Sequence, residues 1–341
     1  MRLLFLGFGT VGQGLAELLL AKRDDLKRRY GLDWTVTGIA DTVKGSAFDP
    51  RGLDLARALA LAKGGEPLAA LDRVGKGWDG LTAARAAEAD VLLEATYTDI
   101  KTGEPATSHI RAALERGVHV VTTNKGPLAL HYRELAALAA ARRVEFLFEG
   151  TVMSGTPLLN LLRETLAGTE VLEVQGILNG TTNYILTRME EGLSYEAALA
   201  KAQELGYAEA VPDADVLGWD ALAKVTILAN VAFGADLVPS DSPCEGITAI
   251  TAEGIAKAAS AGKRYKLIGR VWREAGKVKT AVAPRLVELA HPLAGVAGAT
   301  NAATFRTDAL GEVTVVGPGA GRAQTGFAML SDLLHIVRRR S

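Results

Sequence analysis

Two hydrophobic periods alternate along residues 1–150. Leu3–Leu6 is a short apolar run that ends on glycines, and it predicts a buried strand. Val11, Leu15, Leu18, Leu19 and Leu26 then fall near one stripe at helical spacing, predicting a helix over Val11–Tyr30. Thr35–Ala40 reads as a β-branched, half-apolar strand, Val91–Ala95 as a second buried strand, Val118–Thr122 as a third and Val144–Phe148 as a fourth. Helices are expected between the later strands, over Pro105–Arg116, with proline in the first turn, and over Pro127–Arg143. The Ala/Leu/Gly-rich stretch 43–88 reads as helical without clear boundaries. Strands alternating with helices are βαβ units, so the expected fold class is α/β, a Rossmann-type doubly wound parallel sheet.

The pattern changes after Gly150. A turn-rich stretch, Gly150–Pro157, leads into a helix, then a strand over Val171–Leu178 and helical segments across 181–235. Arg264–Arg270 and Lys277–Val282 flank the polar turn Glu274–Gly276 and read as a hairpin; Glu312–Val316 is a strand, and a helix over about 324–338 closes the chain. The expected division is a dinucleotide-binding domain over 1–150 plus about 320–341, and a second, α+β catalytic and dimerisation domain over about 151–319.

Composition narrows the function classes. The 341 residues carry 38 basic and 39 acidic side chains, so no electrostatic footprint for nucleic acid or an anionic membrane is present. Cys244 is the single cysteine, which excludes an intramolecular disulfide and gives no sign of an oxidising compartment. The first twenty residues imitate a signal peptide, but glycines and Glu17 interrupt them and no cleavage site follows. The apolar stretch Val225–Ala235 falls far short of the roughly 20 residues that span a bilayer. A cytoplasmic protein of enzyme size is the expectation.

Two patterns carry chemistry by themselves. Gly7-Phe8-Gly9-Thr10-Val11-Gly12 follows a predicted strand and opens a predicted helix. Gly7 suits the tight turn, Gly9 lets backbone approach a pyrophosphate, and Gly12 lets helix and strand pack closely. Thr10 and Val11 sit at the positive helix end, where free N–H groups receive phosphate. Asp41 closes the second predicted strand, 29 residues after Gly12, where an acid reads the ribose 2′-hydroxyl of NAD. Lys44, three residues on, suits a 2′-phosphate, so NAD and NADP both stay open. The second pattern lies in the apolar helix Val216–Ala235, whose charged residues are Asp220 and Lys224 alone. At i and i+4 they share a helix face, and a lysine in such surroundings is partly buried and paired. A helix-stabilising ion pair and a catalytic pair both fit that spacing.

Further motifs carry a resemblance. Gly176-Ile177-Leu178-Asn179-Gly180-Thr181-Thr182-Asn183-Tyr184-Ile185-Leu186 is one block, and Gly206-Tyr207-Ala208-Glu209 with Asp215, Gly218-Trp219-Asp220 and Lys224 is another. Together with Asn124-Lys125-Gly126-Pro127 and Gly319-Ala320-Gly321, they resemble the homoserine dehydrogenase family over nearly the whole chain. The resemblance implies reversible NAD(P)-dependent interconversion of L-aspartate 4-semialdehyde and L-homoserine, in a homodimer. It implies Lys224 as proton donor with Lys125 beside the substrate oxygen, and substrate binding by Glu209, Asp215, Asp220, Asn124, Gly180 and Tyr207. For the cofactor it implies Gly7, Gly9, Thr10, Val11, Gly12, Asp41, Thr96, Thr98, Lys125 and Gly319. It also implies a sodium ion held largely by backbone carbonyls at Glu149, Val152, Ser154 and Thr156. Where the family has Asp-Pro after the Glu-Ala pair, this chain has Val211-Pro212, and Asp213 does not occupy the same position. The chain ends soon after its late glycine motif, so neither an ACT domain nor an aspartate kinase fusion is expected, nor threonine feedback through one.

Two other readings stand beside this one. An acylating semialdehyde dehydrogenase needs a cysteine nucleophile, and Cys244 has no histidine or basic neighbour in Ser242-Pro243-Cys244-Glu245. A non-catalytic NAD(P)-binding protein would have no use for Lys125, Asp220 and Lys224.

Overall fold

A computed structural model describes residues 1–72 and 74–340, and the chain divides into two units, Met1–Gly155 with Gly321–Ser341 and Thr156–Ala320. The readings of stretch 43–88 at Arg73 and of the chain end at Ser341 lie outside the described residues.

In the first unit the elements run β1 (Arg2–Leu6), α1 (Thr10–Ala21), α2 (Arg23–Tyr30), β2 (Thr35–Asp41), β3 (Gly45–Phe48), α3 (Leu55–Gly64), α4 (Gly80–Ala86), β4 (Val91–Glu94), α5 (Ala106–Glu115), β5 (His119–Thr122), α6 (Lys125–Leu130), α7 (Tyr132–Arg142) and β6 (Phe146–Leu147). The sheet order is β3-β2-β1-β4-β5-β6, parallel throughout except for the antiparallel edge strand β3. The order reverses between β1 and β4, and a doubly wound sheet opens its ligand crevice at the carboxyl ends of those strands. Leu3, Phe5, Leu15, Leu19 and Val91 form part of the buried core, joined by Leu330, Leu333 and Ile336 of the closing helix Arg322–Arg340.

Several boundaries differ from the periodic reading. The helix expected over Val11–Tyr30 breaks at Lys22, where φ is −111°, and that over Pro127–Arg143 breaks at His131, where φ is −134°. The apolar stripe continues across both breaks, so periodicity alone does not register them. β3 occupies part of the stretch read as helical; its sequence, GSAF, has no alternation to announce a strand. The strand expected over Val144–Phe148 is only Phe146–Leu147.

In the second unit the helix expected after Pro157 is a single π turn, Leu161–Thr165. There follow β7 (Val171–Ile177), α8 (Gly180–Glu190), α9 (Tyr195–Glu204), α10 (Asp213–Val216), α11 (Trp219–Phe233), α12 (Ala252–Ser260), β8 (Lys263–Glu274), β9 (Lys277–Glu288), β10 (Thr300–Thr307) and β11 (Gly311–Pro318); the closing helix of the first unit is α13. All pairings in the sheet β11-β10-β7-β8-β9 are antiparallel. The β8–β9 hairpin is longer than expected, and β10, with the small-residue sequence TNAATFRT, has no counterpart in the sequence reading. Helices α8, α11 and α12 pack on this sheet. Among the described residues no helix is long and apolar enough to cross a membrane.

Candidate functional site

The crevice of the first unit begins where β1 ends. The chain turns at Gly7 with φ of 84°, and a Cβ placed there would lie 2.3 Å from the carbonyl oxygen of Ala95. A Cβ on Gly12 would meet the Gly7 carbonyl oxygen at 2.5 Å, whereas around Gly9 nothing lies within 4 Å of one. Gly7 and Gly12 therefore permit tight packing, and Gly9 faces open space. Gly9 is the N-cap of α1 and brings no side chain to it. The N–H groups of the first turn, at Thr10, Val11 and Gly12, are thus left for an anion at the positive helix end.

Asp41, at the end of β2, is drawn into the same turn. Its Oδ2 accepts the Phe8 N–H at 2.7 Å, and its Oδ1 accepts those of Val43 and Lys44, both at 2.9 Å. Burial pushes this carboxyl up, but the bonds from Lys44, Phe8 and Val43 outweigh it and hold it below the usual carboxylate range. Asp41 is therefore an anion that shapes the glycine turn.

A further acid stands at the next strand end. Glu94 is fully buried at the end of β4. Its Oε1 accepts the Thr96 N–H at 3.0 Å and also the Thr96 hydroxyl, while its Oε2 accepts the Thr122 hydroxyl at 2.8 Å. The Thr122 oxygen in turn accepts the Asn124 N–H at 3.0 Å, and Asn124 Nδ2 donates to the carbonyls of Thr96 and Tyr97 at 3.3 and 3.0 Å. Asn124 caps α6 by accepting the Gly126 N–H at 3.2 Å. One carboxylate thus ties together the two loops that carry Thr96 and Asn124, and it fixes the start of the helix whose first residue is Lys125. Thr98 is half-buried on the first of these loops. Sequence reading missed Glu94; its signal was a lone charge at the end of an otherwise apolar strand.

The loop read as a sodium site is divided between the units. Glu149, Val152 and Ser154 are buried in the first, where the Glu149 N–H donates to Asp332 at 2.9 Å and the Ser154 and Thr325 hydroxyls are 2.7 Å apart. Met153 and Ser154 are both left-handed, with φ of 59° and 53°. Thr156 belongs to the second unit, where its hydroxyl donates to the Pro318 carbonyl at 3.0 Å.

In the second unit Lys224 is 7% exposed on α11. Its Nζ donates to Asp220 Oδ2 at 2.8 Å and to the Leu178 carbonyl, at the end of β7, at 2.6 Å. An ammonium has three donors, so among the described residues the third is left over. Asn179 follows Leu178; its Nδ2 donates to Asp215 Oδ1 at 2.6 Å and Asp220 Oδ2 at 2.9 Å, while its Oδ1 accepts the Thr182 N–H at 2.9 Å and caps α8. Burial pushes the Asp215 carboxyl up and Asp220 adds to this, against the bond from Asn179, the charge of Lys224 and the Thr181 hydroxyl.

The structure thus gathers Asp215, Asp220 and Lys224, adds Asn179, and sets Gly180 at the first position of α8. Tyr207 packs against Tyr184 with ring centroids 5.0 Å apart and planes inclined at 51°, and its carbonyl accepts the Thr181 hydroxyl at 2.6 Å. Glu209 is exposed, and among the described residues its carboxylate has no hydrogen bond or ion pair. Gly319 rests against Asn301, where a Cβ would come within 2.2 Å of the side-chain carbon; the Asn301 carboxamide is fully buried, and among the described residues neither of its polar atoms is paired. Asn179 was present in the quoted motif but had no role; asparagine ahead of a helix was its signal. Cys244 is half-buried, its thiol donates to the Leu217 carbonyl, and burial pushes it up, away from the thiolate a nucleophile needs.

Residues 157–334 match the homoserine dehydrogenase family, and residues 7–149 match the homoserine dehydrogenase NAD-binding domain. An NAD(+)-dependent homoserine dehydrogenase from Pseudomonas canavaninivorans is 47% identical over 338 residues, which are 98% of this chain and 96% of that protein. The homoserine dehydrogenase of Methanocaldococcus jannaschii is 43% identical over 337 residues, 98% of each chain. Among solved structures, a homoserine dehydrogenase from Thiobacillus denitrificans superimposes with a TM-score of 0.85 at 34% identity, covering 100% of this chain and 74% of that one. A hyperthermophilic archaeal homoserine dehydrogenase in complex with NADPH does so with a TM-score of 0.84 at 30% identity, covering 99% and 98%.

Proposed function

We infer, from the premise that this chain belongs to the homoserine dehydrogenase family, that Lys224 is the group that exchanges a proton with the substrate oxygen. Membership makes the protein an NAD(P)-binding oxidoreductase that interconverts L-aspartate 4-semialdehyde and L-homoserine. The nicotinamide, when bound, supplies or accepts the hydride. The observation that carries the role of Lys224 is its buried ammonium, held by Asp220 and the Leu178 carbonyl with one N–H to spare among the described residues. That N–H protonates the oxygen when aldehyde is reduced, and the resulting amine takes the proton back when alcohol is oxidised. Asp220 keeps the ammonium oriented in both directions.

The remaining roles are proposed on the same footing. Lys125, at the start of α6, serves as the second cation for the substrate oxygen, with Asn124 as its neighbour on the substrate. Asp215, Glu209, Tyr207 and Gly180 bind the amino acid part, the carboxylates taking its ammonium. Thr96, Thr98 and Gly319 attend the cofactor. Residues 1–155 with 321–341 form the dinucleotide-binding domain, and 156–320 the catalytic and dimerisation domain of a homodimer. The glycine turn fits a dinucleotide: Gly9 is open, the first turn of α1 is uncapped, and Asp41 is an anion where the ribose is read. Asp41 and the NAD(+)-dependent relative at 47% identity both support NAD over NADP. For sodium, the buried Glu149 and the two left-handed residues that follow in its loop offer oxygen donors suited to a hard cation. Replacing sodium by choline is then expected to lower the thermal midpoint, and an unchanged midpoint would remove the ion from the account.

Steady-state oxidation of L-homoserine with NAD and with NADP tests the reading. Turnover with a higher kcat/KM for NAD is expected. A higher value for NADP would overturn the role given to Asp41, and cofactor binding without any turnover would overturn the catalytic role.

A further inference from the structure

Asn179 is 4% exposed, and its carboxamide is used to capacity. An asparagine side chain offers two N–H donors and an oxygen with two lone pairs. The oxygen accepts the Thr182 N–H and the Thr182 hydroxyl, both at 2.9 Å. The nitrogen gives one hydrogen to Asp215, at 2.6 Å, and one to Asp220, at 2.9 Å. Its orientation is not free, because a backbone N–H can only donate and a carboxylate can only accept.

We propose that Asn179 is a positioning residue of the reaction, whose two amide hydrogens bridge the carboxylates of Asp215 and Asp220 and keep both charged beside Lys224. The proposal rests on the reading that Lys224 moves the proton. Two carboxylates within reach of one amide repel each other, and the cheapest relief is for one to take a proton. The bridge opposes this by placing the positive end of an N–H on each. Asp220 then stays an anion and holds the ammonium through the same Oδ2 that the bridge contacts. α10 packs against α8 and α11. From α11, Asp215 meets the charges of Asp220 and Lys224; from α8 it meets Asn179 and the Thr181 hydroxyl. Burial and Asp220 drive Asp215 toward the protonated form, with Asn179 as the leading group opposing them.

Helix capping and charge bridging can be separated, because serine and aspartate are both good N-caps. Asn179→Ser keeps a cap but loses the bridge. The acid limb of kcat/KM for homoserine is expected to move up by about one pH unit, with kcat/KM at neutral pH reduced about tenfold and cofactor affinity unchanged. Asn179→Asp adds a third carboxylate and is expected to move the limb further. In the double variant Asn179→Ser with Asp215→Asn only one carboxylate remains, and the limb is expected to return to its wild-type position even though the rate does not. An Asn179→Ser enzyme whose limb stays in place, whatever its rate, would reduce Asn179 to a helix cap. Carbon-13 titration of the Asp215 and Asp220 carboxyls in the cofactor-free protein gives a readout that needs no activity. Asp215 is expected to titrate higher in Asn179→Ser, and an unchanged titration would overturn the bridge. Absence of homoserine turnover in the wild type would instead overturn the reading beneath, and the carbon titration would then decide the bridge by itself.

Discussion

Replacing Lys224 by arginine and, separately, by methionine distinguishes proton transfer from packing. The ammonium makes a 2.8 Å bond to Asp220 and a 2.6 Å bond to the Leu178 carbonyl inside an apolar helix face. Arginine keeps a charge and donors for both acceptors but does not release a proton near neutral pH. Methionine keeps the stem and leaves both acceptors short of a donor. A buried acceptor left unpaired costs about 1–3 kcal/mol, and breaking a buried ion pair costs about 3–5 kcal/mol. The Asp220 side chain is 17% exposed and keeps its bond from Asn179, so the lower part of that span applies. Methionine is therefore expected to destabilise the second unit by about 3 kcal/mol, and arginine by less. General acid catalysis contributes about 10²–10⁴ in rate, or roughly 3–5 kcal/mol of barrier. Both variants are thus expected to lose at least about a hundredfold in kcat despite their different stabilities. Initial rates of L-homoserine oxidation, followed by absorbance of the reduced nicotinamide, report kcat; thermal unfolding and cofactor titration report the rest. An arginine variant within about threefold of wild-type kcat would refute the assignment, since a guanidinium neither releases nor takes back a proton near neutral pH.

Other consequences follow from single residues. Gly7→Ala places a Cβ 2.3 Å from a backbone oxygen at φ of 84° and is expected to destabilise the first unit by about 2 kcal/mol or more, read by thermal unfolding. Gly9→Ala meets nothing within 4 Å, so its stability should match wild type within about 0.5 kcal/mol while cofactor affinity falls; equal affinity would place the pyrophosphate elsewhere. For Asp41, burial raises the carboxyl and the bonds from Lys44, Phe8 and Val43 more than reverse it. A depressed carboxyl contributes stability that is present above its unfolded value, about 4, and is lost as pH falls through the lower folded value. The stability gap between wild type and Asp41→Asn should therefore close below about pH 4, and a gap constant down to about pH 3 would contradict the bonding. Cys244→Ala should retain turnover within about twofold; a folded but inactive variant would bring back acyl-enzyme chemistry.

Legibility in the sequence followed the length scale of each interaction. The glycine turn was readable because its causes are local: a positive φ, a close helix and an uncapped first turn all lie within six residues of Gly7. The Asp220–Lys224 contact was readable because helical spacing places i and i+4 together. The breaks at Lys22 and His131 were not, since no proline or glycine marks them and the apolar stripe runs on. Strand β10 escaped for a related reason. Its small and threonine side chains are buried between the adjacent strand β11 and strand β7, which lies more than 120 residues earlier in the chain.

Local pattern thus determined by itself that a βαβ sheet carries a tight glycine turn ahead of its first helix, and that a charged pair lies on one face of an apolar helix. Tertiary structure alone decided what those groups are bonded to. Glu94 links loops 28 residues apart, and Asn179 reaches Asp215 and Asp220 across 36 and 41 residues. Such contacts leave no period in a sequence, because a hydrogen bond depends on the positions of two atoms and not on the number of residues between them. Only when strands β4, β5 and β7 end beside the helices that follow them do these polar groups lose water together, and burial then makes each remaining partner count.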